Sequence, residues 1–572
     1  MIVMAQMPKI MQDVLRDSEV LRKKKQIVAQ MMTARSQFEP TWKLLSRYIN
    51  PMRGRFDEED KSSDGKRRDY YLLEPYPMEA CQKCGAGLHA GLTSPSRPWF
   101  SLGLQDDELA EYHTVKLWLE ECKDIMMGIY AKSNIYNMLM NIDAELSQFG
   151  TASALLLEDY DHAIWARPYT CGEYAGDVDA RGRVSHFARR FKLTAWQMVQ
   201  EFGFDVCSEQ VKNAYKANNM TAYFPVTMLI EQNLKYDPGK LAIGNFPWRS
   251  YYFEDGSSDR FLKVAGYHER PFIMPRWTTV ANGIYGSGPG HNALGNCMQL
   301  QKLEKLNMRL LETRADPAML VPASVGKVDR LPGKQTIVPD NAVNLIRPVY
   351  QTTGSREDAM QTIQLKQQQI AAAFYNDLFV MLSSQDNPQM TAREVAERHE
   401  EKLLMLSPVL EQLHNEVLIP LTKRTFEIAL RNGLFPPVPE ELQGQEENLK
   451  VEFISLLAQA QRMVESPALE KTLALAGNLA GIAPEIVDNI DMDAVIRQHA
   501  VINGAPEKMM RSEDEVKKLR EQRAQAQAQQ QQMEQAAAMA KPLRDGVEAA
   551  RLLSETPVTN DSSIINAMLG GA

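Results

Sequence analysis

The sequence is poor in most of the features that announce a chemistry. Six cysteines are spread over 572 residues. That is too few and too scattered for a disulfide framework, so Cys81, Cys84, Cys122, Cys171, Cys207 and Cys297 read as reduced thiols. Cys81 and Cys84 alone stand close together. No second Cys pair or His pair follows at zinc-ligand spacing, so plain buried thiols are expected there. No run approaches the ~20 apolar residues needed to span a bilayer, and MIVMAQMPKIMQDVLRDSEVLRKKK lacks the apolar centre of a secretory signal. The expectation is a chain made and used in the cytosol, without membrane insertion.

A basic excess is also missing. Lys and Arg number 64 against 73 Asp and Glu, a formal net charge of -9. Tight wrapping of nucleic acid draws its affinity from neutralised phosphates and released counterions, so a strong binder of this size would be basic. An acidic protein still lets DNA slide past. The length exceeds a usual single-core domain, which predicts two to four structural regions, and a 44% hydrophobic content is ample for their cores.

The catalytic motifs fail on context. Gly288-Pro-Gly290-His-Asn-Ala293 spells GxGxxA, but a dinucleotide site needs a second strand with an acidic residue about twenty positions on, where a long helix is expected instead. Helix-start punctuation accounts for it better. Around Gly326 to Gln335 the spacing is wrong for a phosphate-binding loop and no hydroxyl follows, so the chain is not expected to be an ATPase. Asp177, Asp179 and Gly182 imitate half a calcium loop, yet Arg181 replaces an oxygen ligand and Ala188 stands where a bidentate Glu belongs. That stretch reads as a hairpin turn. His399-Glu400-Glu401 lacks a second histidine, and no GxSxG is present. No catalytic, cofactor or metal site is expected.

What is present is an order of segments of α+β class, mainly α. Helix dominates from Met11 to about Phe149, with Val115, Leu119, Cys122, Ile125 and Ile129 at helical spacing, interrupted by a polar loop from Asp57 to Asp69. Strands are expected from Ser153 to about Tyr285. After Tyr285-Gly-Ser-Gly-Pro-Gly290 a helix is predicted to about Ala315, with Leu294, Met298, Leu303, Leu306 and Leu310 on one side. A turn-rich insert follows, with candidate strands at Met319 to Val321, Thr336 to Val338 and Val343 to Ile346. One helix is then expected from Arg356 to Leu382, apolar at Met360, Ile363, Ile370, Phe374 and Leu378 and glutamine-rich at Gln361, Gln364 and Gln368. The loop Ser383 to Met390 leads to a capping box, Thr391 with Glu394. The long ridge after it, Leu403, Leu406, Leu410, Leu413, Val417 and Leu421, is kinked or broken by Pro408 and Pro420 and ends near Asn432-Gly433. Beyond Pro436 the pattern is helical. From Arg511 to Ala540 it becomes a Gln- and Ala-rich run without a coiled-coil seam, either a solvated helix or disordered.

Basic residues on the two helices and their insert, Lys302, Lys305, Arg309, Arg314, Lys327, Arg330, Lys334 and Arg347, are solvated faces or transient phosphate contacts in a channel.

Taken together, the stretches FEPTWKLLSRYINPMRGRF (38–56), GLTSPSRPWFSL (91–102), FGTASALLLED (149–159), FARRFKLTAWQMVQEFG (187–203), ERPFIMPRWTTVANGIYGSGPGHNAL (269–294) and MTAREVAERHEE (390–401) resemble, in this order, the head-to-tail connector (portal) proteins of short-tailed bacteriophages. The resemblance implies a ring of twelve copies at one capsid vertex through which double-stranded DNA is packaged and ejected. It implies a wing (1–287), stem helices (288–316 and 355–382) around a small α/β clip (317–354), and a channel loop (383–390) with Ser383, Ser384, Gln385, Asp386 and Asn387. A helix returning to the wing (391–433), a helical crown (434–510) and a low-complexity tail (511–572) complete it. The partners implied are a terminase, tail adaptor proteins, and major capsid and scaffolding proteins, in a virion assembled in the host cytoplasm. Two rival readings are a tail adaptor or internal ejection protein, and, on Gly288 and Gly290, a nucleotide-dependent enzyme.

Overall fold

The computed structural model describes residues 18–453 apart from 57–67, 97, 105, 107–108, 110–111, 220, 240–244, 257–259, 324, 330–332, 350–355, 384–405, 407 and 443–448, together with 491, 493–496 and 515–532. Ser384 to Asn387, Arg330, the Thr391 capping box and Leu403 lie outside the described residues. Contacts divide the chain into two compact units, Met1–Gly504 and Ala505–Ala572.

The first unit mixes helices and antiparallel strands. Among the described residues five helices come early: α1 (Ser18–Ser36), α2 (Glu39–Tyr48), α3 (Tyr76–Leu92), α4 (His113–Lys132) and α5 (Ile135–Phe149), with β1 (Phe100–Leu104) between α3 and α4. Val115, Leu119 and Cys122 of α4 are buried as their spacing requires. The buried stripe then runs through Met126 and Tyr130, leaving Ile125 and Ile129 half-buried. Cys81 and Cys84 sit on α3 as buried free thiols, and burial pushes the Cys84 thiol up to about 12.

The strand region follows as expected, with β2 (Ser153–Asp159), β3 (Ala163–Tyr169), β4 (Tyr174–Val178), β5 (Val184–Thr194), β6 (Tyr223–Gln232), β7 (Trp248–Glu254), β8 (Lys263–Tyr267) and β9 (Phe272–Ile273). Helices α6 (Ala195–Phe202) and α7 (Glu209–Lys216) lie between β5 and β6. The sheet orders are β4-β5-β6-β7-β8 and β3-β2-β9. Side chains alternate across a strand, so Phe187, Met228 and Ile230 enter the main core while Ala188, Leu229, Tyr251 and Phe253 meet Leu21, Val28 and Met31 of α1. Burial of each such large apolar side chain stabilises by about 1.5–3 kcal/mol. The Asp177 to Gly182 stretch is the β4–β5 hairpin turn, in which Asp179 Oδ1 accepts from the backbone N–H groups of Arg181 and Arg183 at 2.8 and 2.9 Å.

Helix α8 (Pro289–Ala315) begins at the Gly/Pro punctuation. Its buried face is Ala293, Cys297, Leu300 and Gln301, whereas Met298 and Leu306 are exposed. Of the expected ridge, Leu294 and Leu303 still pack partly buried against the core, but the buried face is centred on smaller residues, which allow the helix to close on α5. Between α8 and the next helix the strand expectations shrink to a two-residue ladder, β10 (Met319–Leu320) with β11 (Arg347–Pro348). Thr336 to Val338 forms no strand, and Val343 to Leu345 lies in a 3-10 turn, Asp340–Leu345, entered from extended Pro339. With Ile337 96% and Leu345 56% exposed, no core holds a sheet there.

The single helix expected over Arg356 to Leu382 is two, α9 (Arg356–Ala373) and α10 (Asn376–Ser383). They part at Tyr375, whose φ of 56° is left-handed. Ile363, Ile370, Phe374 and Leu378 are all buried, so the periodicity is right, while the stack of Tyr375 on Trp277 (6.2 Å, 26°) holds the turn between the pieces. The ridge Leu406, Leu413, Val417 and Leu421 is buried as expected. Pro420 is accommodated by a π-helical turn, His414–Leu418, just before α11 (Ile419–Arg431), and Gly433 closes the helix with φ 63°. Beyond Pro436 the described residues hold a short 3-10 turn, Glu440–Leu442, and then a strand rather than an α-helix: β12 (Leu449–Phe453) pairs with β1, Phe100 opposite Phe453, in a two-stranded sheet. Pairing with a lone strand from far upstream overrides local pattern. In the second unit, residues 515–532 form one helix that is exposed along nearly all its length, the solvated alternative for this run.

Candidate channel-forming site

The paired helices α8 and α9 are rooted in a joint made mostly of backbone. Gly150 caps α5 with φ 68°. A Cβ added at Gly150 would lie 2.4 Å from the Gly288 N, one at Gly288 2.6 Å from the Leu146 carbonyl oxygen, and one at Gly290 2.1 Å from the Gln148 carbonyl oxygen. Each glycine is thus required by close approach, which accounts for the GxGxxA spelling. The Gly286 N–H donates to Thr151 Oγ1 (2.7 Å), the Trp277 N–H to the Gly150 carbonyl (2.8 Å) and the Ser287 N–H to the Thr278 carbonyl (2.9 Å). Where a side-chain cap would sit, His291 Nδ1 accepts from the Gly288 N–H at 3.2 Å. Burial lowers the pKa of His291 below its usual 6.5, which keeps that nitrogen unprotonated and able to accept.

An ion pair ties this joint to the π-helical turn. Arg276 Nε donates to Glu416 Oε1 at 3.0 Å, and the Arg276 backbone N–H donates to Oε2 at 2.8 Å. The rest of the guanidinium reaches the carbonyls of Gly283 (2.9 Å) and Gly182 (3.0 Å). One side chain therefore links the β4–β5 turn, the approach to α8 and the helix before α11. A second buried cation, Arg424, donates through Nε to the Leu156 carbonyl (3.0 Å) and through Nη1 to Glu269 (2.9 Å). The last buried side chain of α8 is Gln301, which accepts from the Leu73 N–H (2.9 Å) and donates to the Glu74 carbonyl (2.6 Å). Arg276, Glu416, Gln301 and Gly150 escaped the sequence reading because their partners are far away in the chain; a polar Glu416 inside an apolar ridge was the one local sign.

Beyond Gln301 no residue of α8 is buried. Lys302, Lys305, Arg309 and Arg314 are exposed on it. Lys327 and Arg347 are exposed in the insert, and Lys334 pairs with Asp329 at 3.5 Å. Lys302, Lys305 and Arg309 share a face; the insert residues are on a separate element. Ser383 is the last residue of α10. Lys366 Nζ of α9 donates to Asn296 Oδ1 of α8 at 3.1 Å, and β10 pairs with β11 at the other end, so the two helices run antiparallel.

A cavity of about 520 Å³ is lined by Arg53, Glu145, Tyr169 and Thr170 among others. Its buried carboxylate is committed: Glu145 accepts from Arg53 Nη1 (3.0 Å), Thr170 Oγ1 (2.8 Å) and the Cys171 N–H (3.0 Å). Among the described residues no His, Cys, Asp and Glu group is arranged to hold a metal ion, and no helix is long and apolar enough to cross a membrane.

A joint of backbone contacts thus carries the antiparallel pair α8 and α9. Residues 22–510 match the family described as Bacteriophage head to tail connecting protein, and the chain belongs to that family. It is 37% identical over 539 residues to the probable portal protein of Bordetella phage BPP-1, covering 94% of this chain and 95% of that protein. It is 36% identical over 563 residues to the portal protein of Salmonella phage epsilon15, covering 98% and 99%. With such relatives aligned nearly end to end, its function is that of a phage portal protein, a structural part and not an enzyme. A chain in the neck of an empty GTA particle, 10% identical, covers 71% of this chain and 86% of its own at a TM-score of 0.35.

Proposed function

We propose that copies of the chain close into a ring, twelve by the family resemblance, at one capsid vertex of the virion. DNA is packaged and ejected through it, and the tail attaches to it. The observation that carries this reading is the helical pair α8 and α9. It extends past its own core with Leu306 50%, Met308 54% and Leu365 52% exposed, and a two-helix hairpin without a core of its own needs neighbours to cover it. A ring supplies them through heterologous contacts whose rotation closes. Residues 288–316 and 355–382 act as the stem, 317–354 as the clip that meets tail adaptor proteins, and 383–390 as the loop at the DNA. Residues 1–287 and 391–433 form the wing and 434–510 the crown. Lys327, Arg330, Lys334, Arg347 and Arg314 make transient phosphate contacts. The net charge of -9 per copy keeps DNA from adhering to the wall. A terminase drives the DNA, and capsid and scaffolding proteins hold the ring during assembly in the host cytoplasm.

Negative-stain electron microscopy of the purified protein tests the reading: rings with a central hole are expected, and monomers at every concentration and salt would overturn it. Deleting residues 327–347 should leave rings intact and abolish tail attachment; loss of the rings would overturn the clip assignment.

A further inference from the structure

The two helices of the stem differ in the faces they turn away from each other. On α8, Asn296 meets Lys366 of α9; by helix periodicity Leu300 and Leu303 lie on the same side, and half a turn away lie Met298, Lys302, Lys305 and Arg309, with Leu306 beside them. On α9 the residues toward α8 are Ile363, Lys366 and Ile370. Half a turn away lie Glu357, Gln361, Leu365 and Gln368, with Asp358 at the edge. One far face is basic with exposed Met298 and Leu306; the other is acidic at its start and amide-rich, with exposed Leu365. Lys366 is the one basic residue between Glu357 and Ser383, so after Arg356, which opens the helix, the far face of α9 carries no cation.

The heights also agree. The Lys366–Asn296 hydrogen bond sets the antiparallel register. Nine residues onward along α8 is Lys305, and nine residues back along α9 is Glu357, so the two stand level. For a helical pair set along the axis of a closed ring, rotation to the next copy keeps that level.

We infer that the basic far face of α8 in one copy is covered by the acidic, amide-rich far face of α9 in the next copy, Lys305 and Arg309 against Glu357 and Asp358, and Leu306 near Leu365. This rests on the ring reading above and assigns three of the candidate DNA-contacting cations, Lys302, Lys305 and Arg309, to the wall between subunits. Glu304 lies on another side of α8, near Glu74, whose pKa is raised first by burial and then by the Glu304 charge; exposed Glu312, one turn beyond Arg309, ends the basic face. Long cationic side chains that lay their methylenes on Leu365 and their heads on carboxylates and amide oxygens suit such a seam.

A chain carrying Lys305→Cys and Glu357→Cys together tests the inference, since the six native cysteines are buried. Mild oxidation should give a ladder of covalent oligomers on a non-reducing gel, with no ladder from either single variant. The far faces within one chain point apart, so no internal bond competes. Independently, K305E/R309E should raise the subunit concentration at which half the rings dissociate about tenfold, and adding E357K/D358K should recover much of the loss while the subunit's own melting stays unchanged. Rings of the parent protein without a ladder, or K305E/R309E rings as stable as the parent's but slower in DNA packaging, would overturn the inference alone. A parent that never rises above monomer overturns the ring reading and this inference together.

Discussion

Gly290 and Leu306 lie on one helix and answer to different surroundings. At Gly290 a neighbouring carbonyl stands where a Cβ would go, and each residue there is dictated by the chain that packs on it. Sixteen residues later Leu306 is half exposed, and nothing within the subunit dictates it. The same contrast separates the base of the α8/α9 pair, braced by Arg276 and Glu416, from its outer half, where Lys302, Lys305 and Arg309 are exposed. A joint is determined inside one subunit; in the proposed ring, the exposed half would be determined by the next copy. The two ends of α8 should therefore respond oppositely to mutation.

The largest effect is expected from Gly150→Ala. The left-handed φ alone costs about 1–2 kcal/mol, and the added carbon meets the Gly288 backbone, so soluble yield should collapse. Normal yield and melting would dissolve the contrast. Arg276→Ala should come next. It leaves Glu416 facing a protein interior without its cation, and since that carboxylate keeps 18% exposure, the loss belongs at the lower end of the about 3–5 kcal/mol typical of broken buried pairs. Urea unfolding of the subunit measures it. Leu306→Ala should change subunit stability by less than about 0.5 kcal/mol while weakening rings in native mass spectrometry; the reverse pattern would mean that Leu306 packs internally.

The smallest effect is one of pH. The lowered pKa of His291 means that the unfolded chain takes up the proton more readily than the folded one. Stability from this group is complete above its ordinary 6.5 and declines as pH falls through that value toward the folded one. Melting temperature should drop between pH 7.5 and 5.5, and His291→Gln, which keeps an acceptor for the Gly288 N–H, should flatten part of that slope.

Much of this was legible in the residues. The helical spacing of Val115, Leu119 and Cys122, the β4–β5 turn at Asp177 to Gly182 and the helix start after Gly288 need only local chemistry. The buried thiols follow from the absence of partners at ligand spacing, and the stop at Gly433 needs only its own φ. The break at Tyr375 was not legible, because apolar periodicity runs through it unchanged and the turn is held by Trp277, nearly a hundred positions earlier. The insert's strands misled for the opposite reason: β-branched residues at Val338 and Val343 suggest extended chain, but a strand needs a partner, and the insert offers only a two-residue ladder.

The sequence by itself determined the element types of the early helices and of the strand region, the acidic and non-catalytic character, and the order of segments that marks the family, because those depend on periodicity, charge and turn chemistry within a few residues. Tertiary structure alone decided which face of α8 is buried, why three glycines crowd its start and which arginines carry buried charge. It also decided that β12 closes on β1. Each of these depends on atoms brought together from distant positions, and no local pattern encodes a distance between them.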